Sequence, residues 1–197
     1  MKKSTWIWIA VIAVVAILFF WVKNSYNSMV RMDENVQKAW SQVENVYQRR
    51  MDLIPNLMAT VKGYASHESS TLEAVINARA KATQTVIDPT NLTEEQIAAF
   101  QSAQSELSAA VGRLLVSVEQ YPDLKANQNF LELQAQIEGT ENRITVERNK
   151  FNESAQQYNT MIRKFPDNII ASLFGFEKKG YFKSQEGAAT APKVSFE

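Results

Sequence analysis

Apolar positions along this chain follow two patterns, one continuous and one periodic. The continuous one comes first: Thr5 to Val22 reads TWIWIAVIAVVAILFFWV, with no charge and no strongly polar side chain. As a helix it spans about 27 Å, close to the ~30 Å hydrocarbon core of a bilayer. Lys2 and Lys3 precede it, Lys23 follows it, and Trp6, Trp8 and Trp21 sit where aromatic belts form. A cleaved signal peptide also begins with basic residues and an apolar run. Here the run is long, and Lys23-Asn24-Ser25-Tyr26 supplies no small-x-small cleavage site. The expectation is an uncleaved anchor over 5–22. Orientation is undecided by charge, because Lys2 and Lys3 on one side balance Lys23, Arg31 and Lys38 on the other.

The periodic pattern occupies the rest. From Val36, apolar residues fall at Val36, Trp40, Val43, Tyr47, Ile54, Leu57, Val61 and Tyr64, in steps of four and three that only Arg50 interrupts. This is the seam of a helix packed along other helices. Its phase runs through Pro55, which predicts a kinked helix; two helices meeting in phase is the alternative. No Pro or Gly separates Val22 from Val30, so the anchor is expected to continue into this helix. Ser70-Thr71-Leu72-Glu73 reads as a capping box, followed by an apolar face of Leu72, Val75, Ile76 and Val86. After the Asp88-Pro89-Thr90-Asn91 turn, Thr93-Glu94-Glu95-Gln96 opens a helix with the stripe Ile97, Phe100, Gln104, Leu107, Val111, Leu114, Val118 and Tyr121. A last stripe runs from Phe130 through Ile137, Ile144, Phe151, Ala155, Tyr158 and Ile162 to Phe165, and Pro166 ends it.

No alternating Val/Ile/Thr run predicts a strand. The fold class is therefore all-α: an N-terminal transmembrane helix continuing into an elongated antiparallel bundle of four-helix type. A short flank (1–4), an anchor (5–22), a bundle (23–183) and a Gly/Ala/Ser-rich disordered tail (184–197) divide the chain.

Composition removes most chemistry. The 197 residues carry 21 basic and 21 acidic side chains, one His and no Cys. Zero net charge predicts no nucleic-acid partner, and the missing thiols exclude disulfides and thiolate catalysis. No metal or other cofactor is expected, since one His excludes every multi-His site. His67 lacks a nucleophile on its own face, because its neighbours Ser66 and Glu68 are adjacent only in sequence. Glu94 and Glu95 complement a helix dipole.

Two features invite other roles. Charges at a seam need partners, so Arg50 and Glu141 are candidates for a buried polar pair that fixes register; exposure at the bundle edge is the alternative. Arg148 occupies an equivalent seam position. The segment from Asn168 to Phe182 packs Ile169, Ile170, Leu173, Phe174, Phe176, Tyr181 and Phe182 around Lys178 and Lys179. It either folds back to close the bundle or forms a contact surface for another copy or for the membrane interface.

Two stretches, Asn35 to Ala82 and Asn142 to Phe182, resemble the LemA family. They carry Arg-Arg-x-Asp-Leu-Ile-Pro-Asn-Leu, Gly-Tyr-Ala-x-His-Glu, Tyr-Asn-x-x-Ile-x-x-Phe-Pro and Gly-Phe. One departure is Glu147-Arg148-Asn149-Lys150, where the family more often has Ala-Arg-Arg. The resemblance implies an N-terminal membrane helix, a long-helix bundle and no established activity. It also implies a cytoplasmic bundle and an association with membrane proteases or other envelope proteins. The leading expectation is a non-enzymatic scaffold anchored in the inner membrane, with the lipid bilayer and further copies of itself as partners. The alternative is a monomeric adaptor or regulator of another membrane protein such as a protease.

Overall fold

The computed structural model describes residues 3–64 and 68–184, so Lys2, Ser66, His67 and the segment 185–197 lie outside the described residues. Six helices and no strand occur among the described residues: α1 (Lys3–Tyr64), α2 (Ser69–Gln84), α3 (Glu94–Val118), α4 (Pro122–Lys125), α5 (Gln128–Arg163) and α6 (Asp167–Phe174). The apolar run 5–22 and the first bundle helix are one element, α1, whose 62 residues extend about 93 Å. Its apolar N-terminal third is exposed on all sides, as at Trp8, Ile12 and Phe19. Beyond Met29 only one stripe is buried, and it contains Val36, Trp40, Val43, Tyr47, Ile54, Leu57 and Val61.

The four long helices run up, down, up and down. Tyr64 meets Asn127 at the start of α5 and Arg50 meets Glu141, which sets α1 antiparallel to α5. Glu68 with Tyr121 and Lys81 with Glu106 do the same for α2 and α3. Local sequence explains the starts of two helices. The Thr93 hydroxyl accepts from Gln96 N and the Asn127 carboxamide from Phe130 N, satisfying donors that the first turn leaves free. At the end of α6, Gly175 takes φ 73°, and Phe176 N donates back to Ala171 O at 3.0 Å.

Pro55 lies inside α1 without ending it. Its missing N–H orphans the carbonyl one turn earlier, that of Met51. Arg79 on α2 supplies a replacement donor, with Nε 3.3 Å from Met51 O. The proline is thus matched by a neighbouring helix.

Buried side chains form two clusters. The cluster nearer the apolar N-terminal segment joins Met29 to Tyr47 of α1 with Phe100, Ile144 to Ile162 of α5, Ile170 and Phe182. The farther one joins Met51 to Val61 with α2, the second half of α3, Leu124, Phe130 and Ile137. Each fully buried Leu or Ile contributes about 1.5–3 kcal/mol relative to exposure.

Four expectations need correction. The capping box is absent: α2 starts at Ser69, Glu68 stands at the N-cap without capping, and its carboxylate instead accepts from Tyr121 and Thr71. The buried face of α2 is Leu72, Val75, Ala78 and Ala82, which rotates Ile76 outward, and Val86 lies past the helix end, 82% exposed. Phe165 falls beyond the last turn of α5 and is 78% exposed. Tyr64, at the far end of α1, is half exposed.

Candidate functional site

Arg50 lies at the boundary between the two clusters, 2% exposed. Its Nη1 donates to Glu141 Oε1 at 2.7 Å and to Ser108 Oγ at 2.6 Å. Nη2 donates to the Gln104 carbonyl at 3.2 Å and to the Gln104 side chain. The guanidinium also lies over the Tyr47 ring, 5.0 Å from its centroid. One side chain of α1 is therefore tied to both α3 and α5. Glu141 remains 40% exposed, so the pair is a buried arginine with a carboxylate that keeps contact with water. That arrangement lowers the desolvation cost a fully buried pair would carry.

The second construction is a strap, residues 176–184, which is extended and lies between α5 and the start of α3. Asn159 donates to Lys179 O at 2.8 Å and accepts from Lys179 N at 2.9 Å. Asn152 does the same for Phe182, with both bonds at 2.9 Å. Gln101 of α3 repeats the arrangement at Lys183, at 2.8 and 3.1 Å. Each carboxamide stands in for the peptide of a neighbouring strand. The spacing matches: seven helical residues rise about 10.5 Å, and three extended residues cover about 10 Å. Gly180 lets the strap cross the start of α3, since a Cβ there would lie 2.7 Å from Glu94 Cα. Gly180 N donates to Leu92 O at 2.8 Å.

Strap side chains fill what the helices leave open. Phe182 stacks on Trp40 with ring centroids 5.9 Å apart and meets Phe151 edge-on at 5.5 Å. Lys179, 7% exposed, reaches Thr90 O at 3.0 Å and stands 2.8 Å from Asp33 Oδ1 as an ion contact rather than an aligned hydrogen bond. Arg148 covers the outer face of Phe182, 4.7 Å from its centroid, and donates to Lys183 O at 3.0 Å. Burial raises the pKa of Tyr158 well above the usual tyrosine range, with Asp33 and Glu177 adding to it. Burial likewise raises that of Tyr47, against the pull of Arg148 and Arg50. At the strap's end the hydrogen bond from Lys183 holds the Glu94 carboxyl below the ordinary range, and the same bond raises Lys183.

The residues of the aromatic C-terminal segment separate. Ile170 and Phe182 are core residues and are not available to a partner, because α6 and the strap turn them inward. Phe176 and Tyr181 are half-buried against the same cluster. Ile169, Leu173 and Phe174 are exposed. Of the residues expected at the interface, Trp6 and Trp8 are exposed and Lys23 is exposed, whereas Trp21 packs partly against the near cluster. One described helix, α1, is long and apolar enough to cross a membrane.

The LemA family pattern matches residues 39–196. The chain belongs to the LemA family. Its relatives include Protein LemA of Metamycoplasma hominis, 26% identical over 89% of this chain and 76% of that protein. Magnetosome protein MamQ 1 of Paramagnetospirillum magneticum is 28% identical over 92% of this chain and 73% of the relative. Magnetosome protein MamQ of Magnetospirillum gryphiswaldense is 28% identical over 84% and 67%.

Within this LemA-family chain, sequence reasoning missed Asn152, Asn159, Gln101 and Gly180. The one available signal was the seven-residue spacing of Asn152 and Asn159, each following a core aromatic (Phe151, Tyr158). Among the described residues, no three His, Cys, Asp or Glu side chains gather in a cluster able to hold a metal ion. The hydrogen bonds of both constructions run to protein atoms of the fold itself, and Arg50 Nε and Asp33 Oδ1 are buried without one.

Proposed function

We propose that this chain is a non-enzymatic, single-pass, membrane-anchored helical scaffold of the inner membrane that assembles with further copies of itself. The observation carrying this reading is the continuity of α1. One helix passes from an exposed apolar segment of membrane-spanning length into the seam of the bundle. The bundle is thereby held at a fixed height and rotation relative to the anchor.

Arg50, Lys179, Asn152 and Asn159 all serve packing, which supports a structural role over a catalytic one. A reaction centre needs a nucleophile, a base and an orienting group converging on open space. Zero net charge removes long-range repulsion between copies. Relatives named for the magnetosome, rather than for a reaction, fit a structural role.

The test is the mass of the full-length protein extracted in detergent, measured by light scattering after size exclusion with the detergent subtracted. A sharp mass at a multiple of 22.3 kDa supports self-assembly. A monomer overturns it and favours the adaptor reading, in which the bundle docks one other membrane protein such as a protease. Release of the protein from membranes by carbonate washing would overturn the anchor.

A further inference from the structure

The end of the bundle next to the anchor carries an apolar face that the fold does not cover. Phe165, Ile169 and Leu173 recur every fourth residue and are 78%, 55% and 74% exposed. On the opposite side of α6, Ile170 and Ala171 are buried in the near cluster. The α6 helix is therefore amphipathic, with its inward face seated on the core.

Its direction follows from two contacts. Asp167, at the start of α6, accepts a hydrogen bond from Ser25 Oγ. Phe174, at its end, packs on Tyr26 with ring centroids 4.9 Å apart. Those two α6 residues are separated by about 10.5 Å along the helix, whereas Ser25 and Tyr26 differ by about 1.5 Å along α1. So α6 crosses α1 at a steep angle, one turn after the apolar segment ends at Val22. It follows the end of α5 nearest the apolar segment. The cluster it seats on lies mostly beyond Met29, with Trp21 and Val22 partly packed at its edge, so the exposed face is turned away from the bulk of the bundle. Exposed Lys23, Arg163 and Lys164 lie at the same level, and Asp167 is occupied by Ser25.

We propose that α6 with Phe165 is a membrane-surface helix, lying flat in the headgroup region of the leaflet from which α1 emerges. Phe165, Ile169 and Leu173 insert between acyl chains, and Lys23, Arg163 and Lys164 meet lipid phosphates. The occupant is phospholipid, because the face adjoins the anchor and shares its bilayer. The inference rests on the reading of α1 as a spanning anchor. Together, anchor and surface helix fix the bundle's tilt as well as its height.

The chain has no Cys, so single cysteines can report positions without a background. Full-length Leu173→Cys, Val14→Cys and Val116→Cys, each carrying a nitroxide, are reconstituted in phosphatidylcholine–phosphatidylglycerol vesicles. Collision with oxygen is compared with collision with a water-soluble nickel chelate. All three positions are more than half exposed, so the label is tolerated. The expected oxygen-to-nickel ratio is highest at Val14 and several-fold higher at Leu173 than at Val116. An aqueous Val14 overturns the anchor reading. A lipid-exposed Val14 with Leu173 as aqueous as Val116 overturns this proposal alone. So does a Leu173 label shielded from both reagents with spin–spin broadening, which would place a second copy on the face.

Discussion

The two halves of the bundle core are built from different material. The half near the apolar segment buries Tyr158 and a cluster of Trp40, Tyr47, Phe100, Phe151 and Phe182, whose paired ring centroids lie 5.0–6.5 Å apart. The far half buries aliphatic side chains and one aromatic, Phe130. Helix lengths account for the difference. With 16 residues, α2 reaches about 24 Å, whereas α5 with 36 reaches about 54 Å. Where all four helices are present, aliphatic knobs such as Ile54, Leu57, Leu107 and Leu114 close the core. Where α2 is missing, large rings, Ile87, Leu92 and the strap fill the open side. The near half therefore depends on a non-helical segment, and the far half does not.

Removing the plug is the strongest way to separate the halves. Phe182→Ala deletes a ring in contact with Trp40, Phe100 and Phe151, with an expected cost of about 3–5 kcal/mol by chemical denaturation. It should also abolish hydrogen-exchange protection of the Phe182 and Lys183 amides. Leu114→Ala in the far half should cost a similar ~2–5 kcal/mol yet leave those amides protected relative to global unfolding. Equal loss of strap protection in both variants would mean the core is one cooperative unit without a distinct near half.

A subtler break targets the clamp. Asn159→Ala leaves the N–H and C=O of Lys179 without their partners in a buried setting. At about 1–3 kcal/mol per orphaned group, the two sum to ~2–6 kcal/mol, an upper bound because the strap can open to water. Asn159→Asp retains the acceptor but loses the donor, so it should recover part of that stability. A strap that stays protected in both variants would show that Phe182 holds it without the carboxamides.

The same division governs what the residue pattern discloses. Seam positions such as Val36, Leu57, Leu107 and Ile144 are spaced by helical geometry, so periodicity finds them. The continuity of α1 through Pro55 was likewise legible as unbroken phase. The partner of that proline was not, since Arg79 finds Met51 O only once α2 is packed. The strap has no period, and its polar partners lie on other helices at separations of 20 to 82 residues. Ile76 and Val86 show a related limit, because apolar character does not say which way a short helix is rotated. Arg50 and Glu141 stood out because a charge in a seam is costly, although Ser108 and Gln104 share the contact.

The Arg50 layer tests whether the boundary between the halves is useful or merely tolerated. Arg50→Met removes the guanidinium donors to Gln104, Ser108 and Glu141 while keeping an apolar stem, and leaves the Ser108 hydroxyl 3.4 Å from Glu141 Oε1. Glu141 is 40% exposed and regains water, so the expected loss is moderate, about 1–3 kcal/mol. Denaturation with hydrogen exchange read in both halves should show the loss shared between them. Buried ion pairs are often replaced by apolar residues at no cost. A more stable Arg50→Met protein would therefore mean that the layer serves register alone.

The smallest expected effect is acid release of the strap's end. Lys183 Nζ stands 2.6 Å from Glu94 Oε1, and this contact holds the Glu94 carboxyl below the usual range near ~4.3. Asp88, in the turn below, is lowered by hydrogen bonds from Thr90. For a carboxylate whose folded pKa is depressed, the stabilising contribution is present above the unfolded value and lost as pH falls through the folded one. Both groups are exposed, so global stability should barely change while the strap loosens. Lys183 is raised by the same contact, and its contribution disappears only at alkaline pH, as pH rises through its folded value. Exchange at the Phe182 and Lys183 amides, corrected for intrinsic rates, should accelerate below about pH 4, whereas α3 amides near Leu114 should not. A Glu94→Gln variant should show the faster exchange already at neutral pH and lose the acid step. If acid accelerates both sets of amides together, the strap's end opens with the whole bundle rather than ahead of it.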